Sequence, residues 1–257
     1  KVKKQKAVFL RSSSALVLDA ATGEAVIDKN SDAVVPIASI TKLMTAMVIL
    51  DRGLDLDTKI VLSRDDIRTI KRSRTRLRTG ASLTRDELLL LALMASENLA
   101  AAALGRTYPG GMDAFVEAMN AKAAKLGMTD THFIEPTGLS PENVSSARDL
   151  AQLVRAANEY PLIREYSTRE RGTVMVFKRP VSFGNTNRLV RSSQWDIELS
   201  KTGYISQAGR CLVMRVHLAS KDLIVVLLDS WGRHSRIGDA NRIRKWIETN
   251  LATAHSS

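Results

Sequence analysis

The sequence predicts a mixed α/β (α+β) protein in which one antiparallel sheet, formed from both chain termini, is covered by helices. Strand-like segments lie at the two ends of the chain and enclose a helical middle, and no internal repeat or low-complexity segment is visible. We therefore expect a basic tail over residues 1–12 and a single domain over residues 13–252. A helical insert over about residues 60–165 is expected to form a second lobe.

The N-terminal part is predicted to form a hairpin followed by a helix. Two strand-like segments, Ala15–Asp19 and Glu24–Lys29, are joined by Ala20–Gly23, which is typical of a turn. Apolar residues spaced to form one face then predict a helix over Ser39–Asp51, with a proline before it and a glycine after it.

The middle of the chain is predicted to be helical. Helices are expected from Thr84 toward Gly105, over Met112–Leu126 and over Ser146–Tyr160. The first begins with a capping-box pattern and is expected to break near Ser96. The last is expected to end at Pro161 because proline cannot continue a helix.

The last third of the chain is predicted to return to strands and to finish with a helix. The strands are expected at Thr173–Phe177, Glu198–Lys201, Arg210–Leu218 and Leu223–Asp229, and the helix at Asp239–Leu251. The short segment Ala219–Asp222 is expected to turn a hairpin between the last two strands.

Charge is the most unusual property of the composition. The 257 residues include 38 Lys and Arg against 27 Asp and Glu, a formal net charge of +11, which favours an anionic partner. One basic stretch would suit a nucleic acid partner, but it contains no aromatic side chain on which bases could stack. We therefore expect this stretch to form an exposed basic face and the protein to have no nucleic acid partner. The stretch consists of Arg64, Arg68, Lys71, Arg72, Arg74, Arg76 and Arg78.

The composition also excludes several classes of protein. No apolar run reaches the roughly 18 residues of a membrane-spanning helix, and the first residues lack the apolar segment of a signal peptide. The single Cys211 lies in a strand-like run and is interpreted as a buried, inert thiol. The four histidines have no metal-ligand spacing, so we expect neither a metal nor another cofactor.

Three short strings carry the chemistry. Ser39-Ile40-Thr41-Lys42, Ser96-Glu97-Asn98 and Lys201-Thr202-Gly203 each occur once, with no second Ser-x-x-Lys, Ser-x-Asn or Lys-[Ser/Thr]-Gly in the chain. One such string alone is weak, because common residues produce it by chance. The set of three in this order predicts a serine acyl-transfer site.

The first string predicts a nucleophile and its base. Lys42 follows Ser39 by three residues, so on a helix both side chains lie on one face. A lysine can take the serine proton only when it is neutral, and burial or a second cation such as Lys201 lowers its pKa. Backbone N–H groups at the helix N-terminus beside Ser39 are suited to an oxyanion.

The other two strings are predicted to face the same cleft. Ser96 is expected to relay a proton and Asn98 to hold the substrate backbone. The third string is expected on an edge strand, where Gly203 allows close approach, the Thr202 hydroxyl bonds a carboxylate and the N–H of Tyr204 completes the oxyanion hole.

Further stretches strengthen the case beyond the three strings. They are Pro36–Ala46, Thr131–Phe133 with Thr137–Leu139, Ser145–Asp149 and Lys201–Tyr204. With them the chain resembles the low-molecular-mass penicillin-binding proteins, the D-alanyl-D-alanine carboxypeptidase and endopeptidase family (serine peptidase family S11), over nearly its whole length. The Lys-Thr-Gly-Tyr-Ile-Ser segment and the Ser-Glu-Asn form of the second string look most like the endopeptidase branch.

The resemblance implies a β-lactamase/transpeptidase-like fold and an exported, periplasmic serine D,D-peptidase whose chain here is the processed form. It implies peptidoglycan peptide stems as substrate and β-lactams as covalent inhibitors. Ser39, Lys42 and Ser96 would be catalytic, and Asn98, Lys201, Thr202, Gly203 and Tyr204 would bind substrate. Arg233 falls where similar enzymes place an arginine for the substrate carboxylate. The basic charge also allows a loose association with an anionic membrane surface.

Other functions stay open at this point. The activity could be that of a D,D-carboxypeptidase rather than an endopeptidase. A class A β-lactamase would need a glutamate that activates the deacylating water, for which Glu135 and Glu142 lie in the right part of the chain. A Ser-His-Asp hydrolase would need a Gly-x-Ser-x-Gly turn, which is absent from the sequence. A non-catalytic module that binds cell wall or nucleic acid through its basic surface is the remaining alternative.

Overall fold

A computed structural model describes residues 8–70 and 73–254. Lys71 and Arg72 of the basic stretch, and residues 1–7 of the predicted tail, lie outside the described residues. The strands are β1 Ser12–Asp19, β2 Ala25–Lys29, β3 Val35–Pro36, β4 Lys59–Val61, β5 Ser82–Thr84, β6 Val144–Ser145, β7 Arg171–Val176, β8 Arg179–Gly184, β9 Asp196–Ile205, β10 Gly209–Leu218 and β11 Lys221–Ser230.

The helices occupy mainly the middle of the chain. They are α1 Thr41–Asp51, α2 Arg64–Ile70, α3 Arg85–Met94, α4 Asn98–Arg106, α5 Gly111–Lys125, α6 Ala147–Ala157, α7 Pro161–Thr168 and α8 Ser235–Ala254, with short 3-10 turns at Ala38–Ile40 and Arg188–Arg191. None of them, within the ranges described, has the length and apolarity that crossing a membrane requires.

Five strands form the central antiparallel sheet, in the order β2-β1-β11-β10-β9. The first and last strands of the chain are neighbours in it, with Leu16 of β1 paired to Val226 of β11. The sheet is therefore built from both ends of the chain, as predicted. Because β9 pairs only with β10 in this order, it forms one edge of the sheet.

Both faces of the central sheet are buried. Alternate residues of β11 point to opposite sides: Val226 belongs to the core that includes α1, α3, α4 and α6, whereas Val225 packs with Ile243 and Ile247 of α8. A strand covered on both faces reads as a continuous apolar run, which explains the Leu-Ile-Val-Val-Leu-Leu sequence of β11. The sheet is thus held rigidly between α8 and the other helices.

Several elements differ from the sequence predictions. The helix predicted to run from Ser146 to Tyr160 ends at Ala157, and Pro161 begins α7 instead of ending that helix, because the first helical position needs no N–H donor. The last helix begins at Ser235, four residues earlier than predicted, and its Asp239 carboxylate accepts hydrogen bonds from the backbone N–H groups of Arg11 (2.9 Å) and Ser12 (2.8 Å). This contact fixes the start of β1 against α8.

Candidate active site

Ser39 lies in the 3-10 turn that leads into α1. Ala38 before it has a φ of 48°, and the Thr41 hydroxyl donates to the Ala38 carbonyl at 2.8 Å. A positive φ is unfavourable for alanine, so the surrounding structure must hold this turn. The turn directs the Ser39 hydroxyl toward Lys42, whose Nζ is 2.8 Å away.

The Lys42 amine is surrounded by three oxygen atoms. Its side chain is fully buried, and Nζ lies 2.8 Å from Ser39 Oγ, 2.7 Å from Asn98 Oδ1 and 2.5 Å from the Thr137 carbonyl. A neutral amine has two hydrogens and one lone pair. If Asn98 and Thr137 accept the two hydrogens, the lone pair is directed at the Ser39 hydroxyl, as a general base requires.

Burial sets the protonation of Lys42. Removal from water lowers the pKa of this amine to about 7, while the carboxylates of Glu135 and Glu97 act in the opposite direction. From the sequence, Lys201 is expected to share in lowering this pKa, but burial is the principal cause. A substantial fraction of Lys42 is therefore neutral near pH 7.

The second string lies at the junction of α3 and α4. Ser96 has a φ of 56°, which ends α3, and the Glu97 side chain accepts from the Leu99 N–H to cap α4. Asn98 opens α4 with its Oδ1 on Lys42, while its Nδ2 donates to Ser73 Oγ at 2.5 Å. The predicted break thus points Ser96 and Asn98 into one cleft.

The third string lies on the edge strand β9, as predicted. Lys201 is buried, and its Nζ donates to Ser96 Oγ at 2.8 Å and to the Thr202 carbonyl at 3.0 Å. Burial, with the charges of Lys42 and Arg236, holds the pKa of the Lys201 amine well below its ordinary value. The Thr202 hydroxyl donates to Thr186 Oγ1 at 2.6 Å.

Two glycines allow backbone to lie directly against the nucleophile. A Cβ on Gly203 would be 2.9 Å from the Ile37 carbonyl oxygen and 3.1 Å from the Ser39 nitrogen. A Cβ on Gly138, whose φ is 77°, would overlap the Ala38 carbonyl. The turn at Ser39 is therefore enclosed by β9 on one side and by the loop that contains Gly138 on the other.

An arginine-rich pocket borders the third string. Its volume is about 190 Å³, and it is lined by Thr186, Arg188, Arg210, Arg233, His234, Arg236 and Ile237. Arg233 is exposed on this lining, whereas Arg236 reaches the strand and donates to the Gly203 carbonyl at 2.8 Å. The Arg210 guanidinium lies 4.4 Å from the ring centre of the exposed Tyr204.

Sequence reasoning missed three parts of this site. The Thr137 carbonyl is a backbone group and leaves no signature of its own, although Thr137-Gly138-Leu139 contributed to the family resemblance. Ser73, which holds Asn98, and Arg236, which contacts Gly203, belong to no recognisable string. A search for arginines near the end of β11 would have offered both Arg233 and Arg236.

Comparison with curated proteins identifies close relatives. The chain is 48% identical over 248 residues to a D-alanyl-D-alanine endopeptidase of Pseudomonas aeruginosa. The aligned region covers 95% of this chain and 80% of the relative. It is 47% identical over 243 residues to a D-alanyl-D-alanine endopeptidase of Escherichia coli, and this aligned region covers 93% of the chain and 78% of the relative. More distant relatives include a carboxypeptidase of Escherichia coli at 30% identity.

Solved structures show the same fold. The Streptomyces K15 DD-transpeptidase superposes with a TM-score of 0.85 at 26% identity, over 94% of this chain and 98% of that one. A D-alanyl-D-alanine carboxypeptidase from Mycobacterium tuberculosis gives 0.85 at 25% identity, over 96% and 95%. The family model described as D-alanyl-D-alanine carboxypeptidase (peptidase S11) matches residues 1–232. The chain belongs to this family of serine D,D-peptidases.

Proposed function

We propose that this protein hydrolyses the D-Ala–diamino acid cross-links of peptidoglycan through an acyl-enzyme on Ser39, as a D,D-endopeptidase. The observation that carries the proposal is the 2.8 Å contact between Lys42 Nζ and Ser39 Oγ, with Asn98 Oδ1 and the Thr137 carbonyl as two further acceptors for the hydrogens of a neutral amine. In this proposal residues 13–252 act as one catalytic domain with a helical lobe over about residues 60–165.

Acylation begins when Lys42 accepts the Ser39 proton and Ser39 Oγ forms a bond to the D-Ala carbonyl carbon. The backbone N–H groups of Ser39 and Tyr204 stabilise the oxyanion. The carbon–nitrogen bond then breaks, and the proton on Lys42 reaches the departing amine through the Ser96 hydroxyl. Since Lys201 already donates to Ser96 Oγ, the hydrogen of that hydroxyl is free to point at the leaving nitrogen.

Deacylation repeats the sequence with water. Lys42 accepts a proton from a water molecule while the water oxygen attacks the ester carbon. The carbon–Oγ bond then breaks, and the proton on Lys42 returns to Ser39 Oγ. This symmetry needs only the groups already used for acylation. No further general base is required.

The other side chains of the cleft bind the substrate. Asn98 holds the substrate backbone, and Gly203 admits it against β9. Thr202 binds the carboxylate beside the scissile amide, with Arg233 supplying charge from the arginine-rich pocket. Tyr204, exposed at the end of the string, packs against the peptide.

Two alternatives are weighed against the endopeptidase. The relatives at 48% and 47% identity are both named endopeptidases, which favours that branch over the carboxypeptidase. A class A β-lactamase would need a glutamate free to activate water. Glu135 is instead occupied by several donors of its own loop, including the Thr137 N–H at 2.6 Å, and Glu142 is exposed.

The cellular setting is inferred from the substrate. Peptidoglycan stems are the partner and β-lactams are covalent inhibitors, since both present a carbonyl to Ser39. A periplasmic location for the enzyme would be consistent with this substrate. The exposed arginines of the basic stretch (Arg64, Arg68, Arg74, Arg76 and Arg78) add a weak attraction to anionic membrane surfaces, without a nucleic acid partner.

The test compares wild type with Ser39→Ala on purified cross-linked muropeptides, with the products weighed by mass spectrometry. We expect wild type to convert dimers into monomers and to be labelled by a fluorescent penicillin, and the variant to do neither. Loss of only a terminal alanine would identify a carboxypeptidase. Labelling of the variant would disprove Ser39 as the nucleophile.

A further inference from the structure

The loop that follows α5 folds around a single carboxylate. Glu135 Oε2 accepts hydrogen bonds from the Thr137 N–H (2.6 Å) and the Thr137 hydroxyl (2.5 Å). Oε1 accepts from the N–H groups of Gly138 (2.6 Å) and Ser140 (3.3 Å) and from Asn143 Nδ2 (3.1 Å). Five donors thus converge on one side chain, which fixes the backbone of residues 137–140.

This arrangement determines where the Thr137 carbonyl points. The Thr137 N–H is bonded to Glu135, while the carbonyl of the same residue accepts from Lys42 Nζ at 2.5 Å and from Ser39 Oγ at 3.4 Å. Gly138 lies against the Ala38 carbonyl with no room for a side chain. Movement of the loop would therefore displace an acceptor of Lys42 and the packing behind Ser39 together.

We propose that Glu135 is a positioning residue for acylation: its carboxylate holds the Thr137 carbonyl on Lys42, so that the lone pair of the neutral amine faces Ser39. This inference rests on the proposed function and deepens it, since it assigns a task to a glutamate that the serine–lysine mechanism does not itself use. The shortest route from Glu135 to Lys42 and Ser39 runs through Thr137.

A second contribution is electrostatic. The carboxylates of Glu135 and Glu97 both favour the protonated form of Lys42, whereas burial opposes it, and the Lys201 amine also lies within electrostatic reach. Removing the Glu135 charge should therefore lower the Lys42 pKa further. Because any carboxylate at this position would act on the Lys42 pKa in this way, the positioning role itself is read from the acylation rate at high pH, where Lys42 is neutral.

The test is Glu135→Gln, which keeps the size of the side chain but loses its charge and replaces one of its two acceptor oxygens by an N–H donor group. We expect the second-order rate constant for acylation by a chromogenic cephalosporin to fall about 10- to 100-fold, as a small displacement of a reacting group can cause. The acid limb of its pH profile should move to lower pH. The deacylation rate of the acyl-enzyme should fall by no larger factor, because the same base serves both steps.

Controls separate this effect from misfolding and from failure of the proposed function. Glu142→Gln, on the same loop but exposed, should acylate at the wild-type rate, and the melting curve reports whether each variant is folded. Should Glu135→Gln not fold, Glu135→Asp keeps the charge with a shorter reach, and we expect it to acylate more slowly with an unmoved acid limb.

Two results would overturn the inference. Folded Glu135→Gln with wild-type acylation and an unmoved acid limb would show that the carboxylate does not position the base. Normal acylation with a greatly prolonged acyl-enzyme would make Glu135 a deacylation base instead. Neither result would touch the proposed function, which fails only if wild type itself forms no acyl-enzyme or Ser39→Ala still does.

Discussion

Lys42 and Lys201 are both buried amines in one cleft, yet their surroundings differ. Lys42 has three oxygen neighbours, with two carboxylates within electrostatic range. Lys201 donates to Ser96 Oγ and to its neighbour's carbonyl, and the charges that act on it are positive. The spacing from Ser39 predicts Lys42 as the base and Lys201 as a second cation, and the surroundings of the two amines give that prediction a physical reason.

The difference assigns the two lysines different tasks. Around Lys42, the Asn98 and Thr137 oxygens supply an acceptor for each hydrogen of a neutral amine, with Ser39 Oγ as the third neighbour. Lys201 holds the Ser96 hydroxyl in place and lies on the rigid edge strand β9. In the proposed mechanism the first lysine changes protonation during the reaction, whereas the second only donates.

The largest expected effect comes from replacing each lysine by arginine. Arginine stays protonated and cannot act as a neutral base, so Lys42→Arg should lower the acylation rate constant by about 10³-fold or more. Lys201→Arg keeps a donor for Ser96. Its acylation rate constant should therefore remain about tenfold higher than that of Lys42→Arg. The measurement is stopped-flow acylation by a chromogenic cephalosporin. Equal losses in both variants would contradict the distinction.

The pH dependence of wild-type acylation should be the next largest effect. Because the Lys42 pKa is lowered to about 7, the neutral form is lost as pH falls through this value. We expect the rate constant to fall about tenfold for each pH unit well below 7 and to level off above it. An acid limb near the ordinary lysine pKa of 10.5 would mean that Lys42 reacts from an environment unlike the one described.

The smallest effect should come from Arg233→Gln. This arginine is exposed on the Lys201 side of the cleft, so its loss should raise KM for a cross-linked muropeptide a few-fold and leave kcat nearly unchanged. Steady-state kinetics by chromatography measure both. Arg68→Gln, at an exposed i,i+3 ion pair elsewhere on the molecule, is the matched control. A fall in kcat without change in KM would show that Arg233 acts on the transition state.

The sheet and the three strings could be predicted because their signals are local. The alternating or continuous apolar pattern of β1, β10 and β11 depends on neighbours in sequence, and the capping box at Thr84 is confirmed with both of its hydrogen bonds. Elements of a few residues, such as β4 and β5, have too little sequence to show a period. The role of Pro161 as the first residue of α7 depends on whether residues 162–168 continue as a helix.

The site could be predicted only where its contacts are made by side chains. Ser39, Lys42, Ser96, Asn98 and Lys201 come together as the strings indicate. The Thr137 carbonyl is a backbone group whose direction depends on the conformation of its loop. No residue type in the sequence indicates such a group. The low pKa of Lys42 also depends on burial by distant segments, which a sequence does not reveal.

The two glycines that touch the nucleophile's turn have a consequence for resistance to antibiotics. Gly138 and Gly203 leave no space for even a methyl group beside residues 37–39. Variants selected under drug pressure therefore have few ways to narrow the pocket from these two walls without also displacing residues 37–39. We expect escape mutations to accumulate elsewhere, toward the solvent-facing rim around Trp231 and Tyr204, where side chains have room to change.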